Sequence, residues 1–581
     1  MEMPKTSDTK AFDAKESDAK DSNYCHLTDD LSKQLRPADS VMKLARLGSF
    51  FPTRLSFMRV LIRQLAKEGS SVTPSIWSLD KEGFGRAVLT ISLYHQHYSL
   101  IAFTQPLSDE NRTDRVIAEA WDSTYVLFDG IPSIKDLDRL EKQVPHQEAG
   151  RYSDEELVLS RANKSVRLFG HVVDRLAQGI QPDFEHVKSI GYLMRTTAVY
   201  GNGKFGISDR SKIASRGGLS GPFQIEMLAV YLIREFTHKL VEHIAHHKSP
   251  KTAILLDAKL KRYLGIGNST GLGMAPFLIS HPVLFNNWIL ARETAIAQMR
   301  AKARLSVAQQ QELSSLYIRA DAHLSQWQTA DTIQSQRISI LRGEWKQLAT
   351  QIDLLKQQPF PLDKLIKSTS LLSLETQELM IALVLEIGGE EIDDLSHCMD
   401  SDIAPRLRPD MSLRTLKTIL YNQFQWALSI DFSNPDENYQ FWYTSAAKLE
   451  PRLGVRLAEE GAEKEQPLDI AKRVQEVEHA LRDCNDDEIT AVFILKNPEF
   501  RYIIRRIQTA SWAPYSEIQD NLIGKDCRPI DMLRCKLSFF GAAKFDPKSD
   551  RWTRITLYQG APTASELNDS NSDDWWLPVL Q

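Results

Sequence analysis

The chain has 581 residues, 42% of them hydrophobic and 25% charged, with a formal net charge of −5. That length exceeds one ordinary core, so about two to four domains are expected. The small acidic balance argues against a general binder of nucleic acid or membrane surfaces. No run approaches the ~18 uninterrupted apolar residues of a membrane-spanning helix.

Residues 1–40 carry six Lys/Arg and nine Asp/Glu but few apolar side chains. Such a segment cannot bury enough surface to offset its ordering entropy, so it reads as a disordered tail. It has no secretory or transit-peptide pattern. Cys25, Cys398, Cys484, Cys527 and Cys535 are scattered and include no Cys-x-x-Cys pair. That fits a reducing cytoplasm and disfavours a disulfide framework and a structural zinc site.

Residues 41–150 read as a small α+β domain. Phe57, Val60, Leu61 and Leu65 fall on one side of a helix over Ser56–Lys67. The period then changes to two. Gly85–His95, Tyr98–Thr104 and Val116–Phe128 are strand-like, with a turn at Gln96-His97, and predict an antiparallel meander.

Residues 151–448 read as a central helical domain. Its helices are placed at Glu155–Ala162, Val166–Gln178, Phe285–Ala303, Ala308–Gln328, Thr332–Lys356, Leu374–Ile387 and Ser412–Leu428. No strict heptad persists, so these are packed antiparallel helices rather than a free coiled coil. Residues 449–466 form a charged linker.

Residues 467–581 start with a helix over Pro467–Arg482. Cys535–Phe545 and Arg551–Tyr558 then flank a Pro- and Asp-containing turn, which predicts a hairpin. Trp575 and Trp576 are too apolar for a free tail and are expected to dock on the protein's own body. The fold class is α+β, predominantly α-helical, with a large central helical body, an N-terminal antiparallel β-meander domain and a C-terminal β-hairpin segment.

Between Gly191 and Gly273 stand 11 of the chain's 27 glycines, in two clusters around one long helix. Glycine at this density marks unusual backbone or close approach. Gly265-x-Gly267 invites a dinucleotide-fold reading, but Thr270 stands where the third glycine is needed. Leu256, Leu260 and Leu264 are spaced for a helix where that fold needs a strand, so Gly265 reads as a helix terminator. The loop Gly267–Gly273 still offers successive N–H groups, with Asn268, Ser269 and Thr270 to orient an anion or polar cofactor edge. The alternative is a tight loop whose polar side chains cap neighbours. His281 follows, as a weak catalytic candidate or a structural histidine.

The first cluster is basic. From Arg195 to Pro222 there are five cations, Arg195, Lys204, Arg210, Lys212 and Arg216, against Asp209 alone. Arginine suits bidentate capture of carboxylate or phosphate. Tyr200, Asn202 and Ser208 add directional hydrogen bonds. A basic surface loop is the competing reading.

The helix between the clusters is apolar nearly all round in its first half, so Glu226 is a buried carboxylate. It needs a partner, for which Arg195 and Arg234 are candidates, or a raised pKa suited to catalysis. Further on, Glu235, His238, Glu242 and His246 make one stripe, and Glu235-x-x-His238 recurs as Glu476-x-x-His479. Such a half-motif binds metal in di-iron bundles. The stripe lies opposite Phe236 and Leu240, which favours a solvated face and no metal. Arg505-Arg506 with Trp512 and Tyr515 is too isolated to indicate nucleic acid. No nucleophile elbow, His-Glu-x-x-His or kinase motif is present.

These residues predict an enzyme acting on an anionic small metabolite, a carboxylate or phosphate, held between the two glycine-rich loops. Neither a reaction type nor a cofactor can be assigned. A helical scaffold whose basic loop engages an acidic partner is one alternative, and a His/Glu metal-dependent oxidase or oxygenase is another. The long helices suit homo-oligomerisation.

Overall fold

The computed structural model describes residues 35–49, 53–111, 120–146, 153–200, 219, 221, 223–268, 281–327, 332–399, 405–434, 442–444, 451–453, 469–522, 529–541, 544–547 and 553–569. The protein is a mixed α+β structure with a large helical part. Its strands are β1 (Val72–Leu79), β2 (Gly85–Leu93), β3 (Gln96–Thr104), β4 (Ser123–Asp129), β5 (Glu156–Lys164), β6 (Tyr192–Tyr200), β7 (Gly265–Asn268), β8 (Trp442–Thr444), β9 (Pro451–Leu453), β10 (Lys544–Pro547) and β11 (Thr553–Leu557). Nine of them form one sheet in the order β1-β2-β3-β4-β5-β6-β7-β11-β10, while β8 and β9 pair separately.

The helices that place the site are α1 (Phe57–Lys67), α2 (Ile134–Gln143), α3 (Phe169–Ala177), α4 (Phe184–Ile190), α5 (Gln224–Lys248) and α6 (Ala258–Tyr263). The helical body adds α7 (Pro282–Arg300), α8 (Val307–Ser325), α9 (Thr332–Leu355), α10 (Pro361–Ser368) and α11 (Leu374–Gly388). Then come α12 (Leu413–Gln423), α13 (Ile470–Leu481), α14 (Arg501–Ala510) and α15 (Pro529–Phe540). Buried on every side from Leu379 to Ile387, α11 packs against α7, α8 and α9.

The sheet curls around α5. The ring of Phe236 lies 5.7 Å from Trp77 of β1 and 5.7 Å from Tyr125 of β4. In a flat sheet, strands three places apart stand ~14 Å apart, too far to share one ring. Further back on the helix, Tyr231 stacks edge-on with Tyr558, just past β11. Thus α5 crosses the sheet from its β11 side to its β1 side. One apolar cluster runs from Val41 to Leu567, and a smaller one lies on the outer face, where Leu137 and Leu140 of α2 cover Ile101 and Val126.

Several predicted elements differ. Glu155–Ala162 is strand β5 rather than helix, because β4 and β6 pair with it on both sides. Cys535–Phe540 lies in helix α15, where Phe539 and Phe540 join Phe57, Phe223 and Trp288 in an aromatic cluster. Among the described residues at the carboxyl end, β10 and β11 are the extended ones, and they pair antiparallel. The β2–β3 turn is Tyr94-His95, two residues before the predicted position, with φ of 49° and 63°. Strands β1 and β6 and helix α4 had no counterpart in the sequence reading. Cys398 is disulfide-bonded, which cysteine spacing gave no reason to expect. Trp575 and Trp576, and most of segment 449–466, lie outside the described residues.

Candidate functional site

Strand β6 runs parallel to β7, with Tyr192 opposite Gly265, Arg195 opposite Gly267 and Thr196 opposite Asn268. It is the one parallel pair among the described strands. The connection between them passes through α5 and α6, making a β-α-β unit. Because the strands are parallel, the two glycine-rich segments leave the sheet from neighbouring carboxyl ends. In α/β sheets, that is where ligands are bound.

The strand glycines serve packing. A Cβ on Gly265 would lie 2.3 Å from the Leu557 carbonyl oxygen of β11, and one on Gly267 would lie 2.8 Å from the Tyr192 ring. Gly265 therefore opens a strand and is not a helix terminator; of Thr252–Leu264, only Ala258–Tyr263 is helical.

Arg195 is buried on β6. Its neighbour Met194 faces α5, since Tyr125 Oη and Thr237 Oγ1 both donate to Met194 Sδ. Side chains alternate along a strand, so Arg195 turns to the opposite face. Tyr200 and Asn268 are placed by their backbone at the ends of β6 and β7. Asn202, Lys204, Arg210, Arg216, Ser269 and Thr270 lie outside the described residues.

Glu226 sits in the first turn of α5 and is buried. Burial pushes its carboxyl up to about 8, and no charged group among the described residues opposes the shift. The expected pairing with Arg195 or Arg234 is not formed. Arg195 is on the wrong face of the sheet, and Arg234 is committed elsewhere. Its guanidinium donates to the carbonyls of Lys261, Arg262, Leu264, Ala561 and Pro562, locking α5 to the end of α6 and to the turn beyond β11. His281 precedes α7; burial, helped by the charge of Arg506, lowers it to about 4, so its imidazole is neutral at pH 7.

The His/Glu stripe is not a solvated face throughout. His246 is exposed, but Glu235 and His238 are buried against the α6 side because α5 is enclosed on both flanks. Each has other work: Glu235 neighbours Arg234, His238 hydrogen-bonds the Leu264 backbone, and Glu242 accepts from Leu256 N and Lys261 Nζ. No cluster of three metal-ligating side chains occurs among the described residues. Glu476 pairs with Arg473, and His479 is exposed.

The sequence reading missed a groove of about 890 Å³ whose lining includes Lys81, Phe84, Lys164, Phe169, Ile244 and Lys248. Those residues come from three separate segments and share no local motif. No helix among the described residues is long and apolar enough to cross a membrane. No known protein family, curated protein or solved structure matches this chain.

Proposed function

We propose that the protein is an enzyme acting on an anionic small metabolite, a carboxylate or phosphate, at the carboxyl ends of β6 and β7. The observation that supports this reading is the parallel pairing of the two strands, Arg195 beside Gly267 and Thr196 beside Asn268. It brings the starts of the basic segment and the polar glycine segment to one end of the sheet. Lys204, Arg210 and Arg216 supply charge, Tyr200 and Asn202 direction, and Asn268, Ser269 and Thr270 the second wall. The reaction type stays unassigned.

The test is thermal unfolding with inorganic phosphate and with malonate. At least one should stabilise the wild-type protein in a saturable way, as preferential binding to the native state requires. Lys204→Glu with Arg210→Glu should abolish that stabilisation. Wild-type protein indifferent to both anions, or a double variant that responds equally, removes the reading. The proposal also assigns self-association to α8 and α9, where Ile318, Ile340 and Leu354 are exposed. Light scattering on Ile318→Asp and Ile340→Asp proteins tests the self-association.

A further inference from the structure

A second site stands apart from the carboxyl ends of β6 and β7. The groove lies between the β1–β2 turn, the β5–α3 junction and the last turns of α5. Lys164, at the end of β5, pairs with Met194 near the start of β6, so the groove is nearer the opposite end of that strand. Its volume of about 890 Å³ falls within the ~300–1,000 Å³ typical of small-molecule sites.

The lining has two chemical halves. Three lysines, Lys81, Lys164 and Lys248, stand against one acid, Glu82. In a chain of net charge −5 this is a local reversal of sign. Lys164 Nζ is held between two rings, 5.3 Å from the Phe84 centroid and 5.0 Å from that of Phe169. Cation–π contact holds the ammonium in place beside the apolar wall. Lys248 pairs with Asp174 at 2.6 Å, but both side chains are more than half exposed, so the bond is weak and easily exchanged.

The other half is apolar. Phe169, Val173 and Ile244 form wall, and Val166 is 53% exposed at the groove. Gly170 completes it: a Cβ there would meet nothing within 4 Å. The frame is rigid on the β1–β2 side. Asp80 Oδ1 accepts from Glu82 N and Phe84 N, and a Cβ on Gly83 would lie 2.8 Å from Leu240 of α5. His243 ties the same turn down, its Nδ1 accepting from Trp77 Nε1 while Nε2 donates to Asp80 O.

We infer that this groove binds an amphiphilic anion, a single acyl chain carrying a carboxylate. A bare anion would leave the apolar wall wet, and a neutral acyl chain would leave the lysines unused. The chain covers Phe169, Val173 and Ile244, and the head group sits among Lys81, Lys164 and Lys248.

Isothermal titration of the full-length protein with decanoate is the test, with decyltrimethylammonium and decanol as controls. Decanoate should bind with one-to-one stoichiometry, and both controls at least about tenfold more weakly. Gly170→Leu fills the groove from an open helical position and should weaken decanoate about tenfold or more without lowering the unfolding temperature. Lys164→Gln should weaken it severalfold. No binding of decanoate to the wild type, equal binding of the cationic control, or a Gly170→Leu protein that binds like the wild type each overturns the inference. Phosphate and malonate stabilisation depends on Lys204 and Arg210, not on Gly170, so the two sites fail separately.

Discussion

Arg59 of α1 and Glu386 of α11 form a bidentate ion pair with both N–O distances at 2.6 Å, and Arg59 is fully buried. They belong to a longer seam. Arg36 meets Glu293, Arg46 and Arg292 meet Glu378, Arg54 also reaches Glu386, and Arg54 and Arg63 share Asp393. Apart from Arg292 of α7, these arginines lie between residues 36 and 63 and run along acids of the helical body. Arg36 belongs to this seam although it falls in the stretch that composition alone assigns to a disordered tail.

Buried charges cost more to leave unpaired than to remove together. Glu386→Gln should therefore destabilise the protein by about 3–5 kcal/mol, because the buried Arg59 guanidinium loses the carboxylate it pairs with. Arg59→Met with Glu386→Met should recover most of that loss. Urea denaturation of the three proteins decides it: a single variant as stable as the wild type would show that the pair is not desolvated.

The glycines offer a sharper contrast. Gly265→Ala places a methyl 2.3 Å from the Leu557 carbonyl, a backbone atom that cannot swing aside, so β11 must move. The expected result is loss of soluble folded protein or a cost above ~3 kcal/mol, as for overpacked cores. Gly170→Ala meets open space in helix α3 and should stabilise by roughly 0.5–1 kcal/mol. Equal effects in thermal melts would mean that glycine content, and not position, sets the response.

That contrast shows what was legible in the sequence. Dense glycine between 191 and 273 did flag the place where, among the described strands, the sheet turns parallel. What it could not show was that Gly265 and Gly267 are strand residues making room for β11 and for the Tyr192 ring. Periodicity placed α1, α7, α8, α9 and α11 well, because each buries a continuous apolar stripe. It failed for β5 and α15, whose short apolar runs suit either state until neighbouring elements choose. The groove lysines were invisible because residues 81, 164 and 248 meet only through the fold.

The β2–β3 hairpin holds Tyr94 and His95 at φ of 49° and 63°, a left-handed pair in a two-residue turn. Residues with a bulky Cβ resist that conformation, whereas Asn-Gly adopts it readily. Tyr94→Asn with His95→Gly should raise stability by about 1 kcal/mol, read as a higher denaturation midpoint. An unchanged or lower midpoint would mean that the Tyr94 ring, half-buried against the core, contributes more than the backbone strain costs.

Glu226 and His281 bend the pH dependence of stability in opposite directions. The buried Glu226 carboxyl titrates near about 8 in the native protein instead of its ordinary 4.5. Between those values the native state holds a proton that the unfolded chain has lost. Stability from this group is complete below the lower value and falls by about 1.4 kcal/mol per pH unit as pH rises towards the upper one. His281 is lowered from 6.5 to about 4, so in that interval the unfolded chain holds the extra proton and stability rises with pH. His238 is shifted in the same direction as His281, and Glu235 in the same direction as Glu226, so the difference between variant and wild type is the quantity to follow. Between pH 6.5 and 8, Glu226→Gln should gain on the wild type with every unit of rising pH, and the gain should level off above about 8. His281→Asn should gain on the wild type as pH falls from 6.5 towards 4. Denaturation midpoints at half-unit intervals resolve both slopes. A Glu226→Gln difference that stays flat across pH 6.5 to 8 would mean that Glu226 is ionised in the folded protein with a cation beside it.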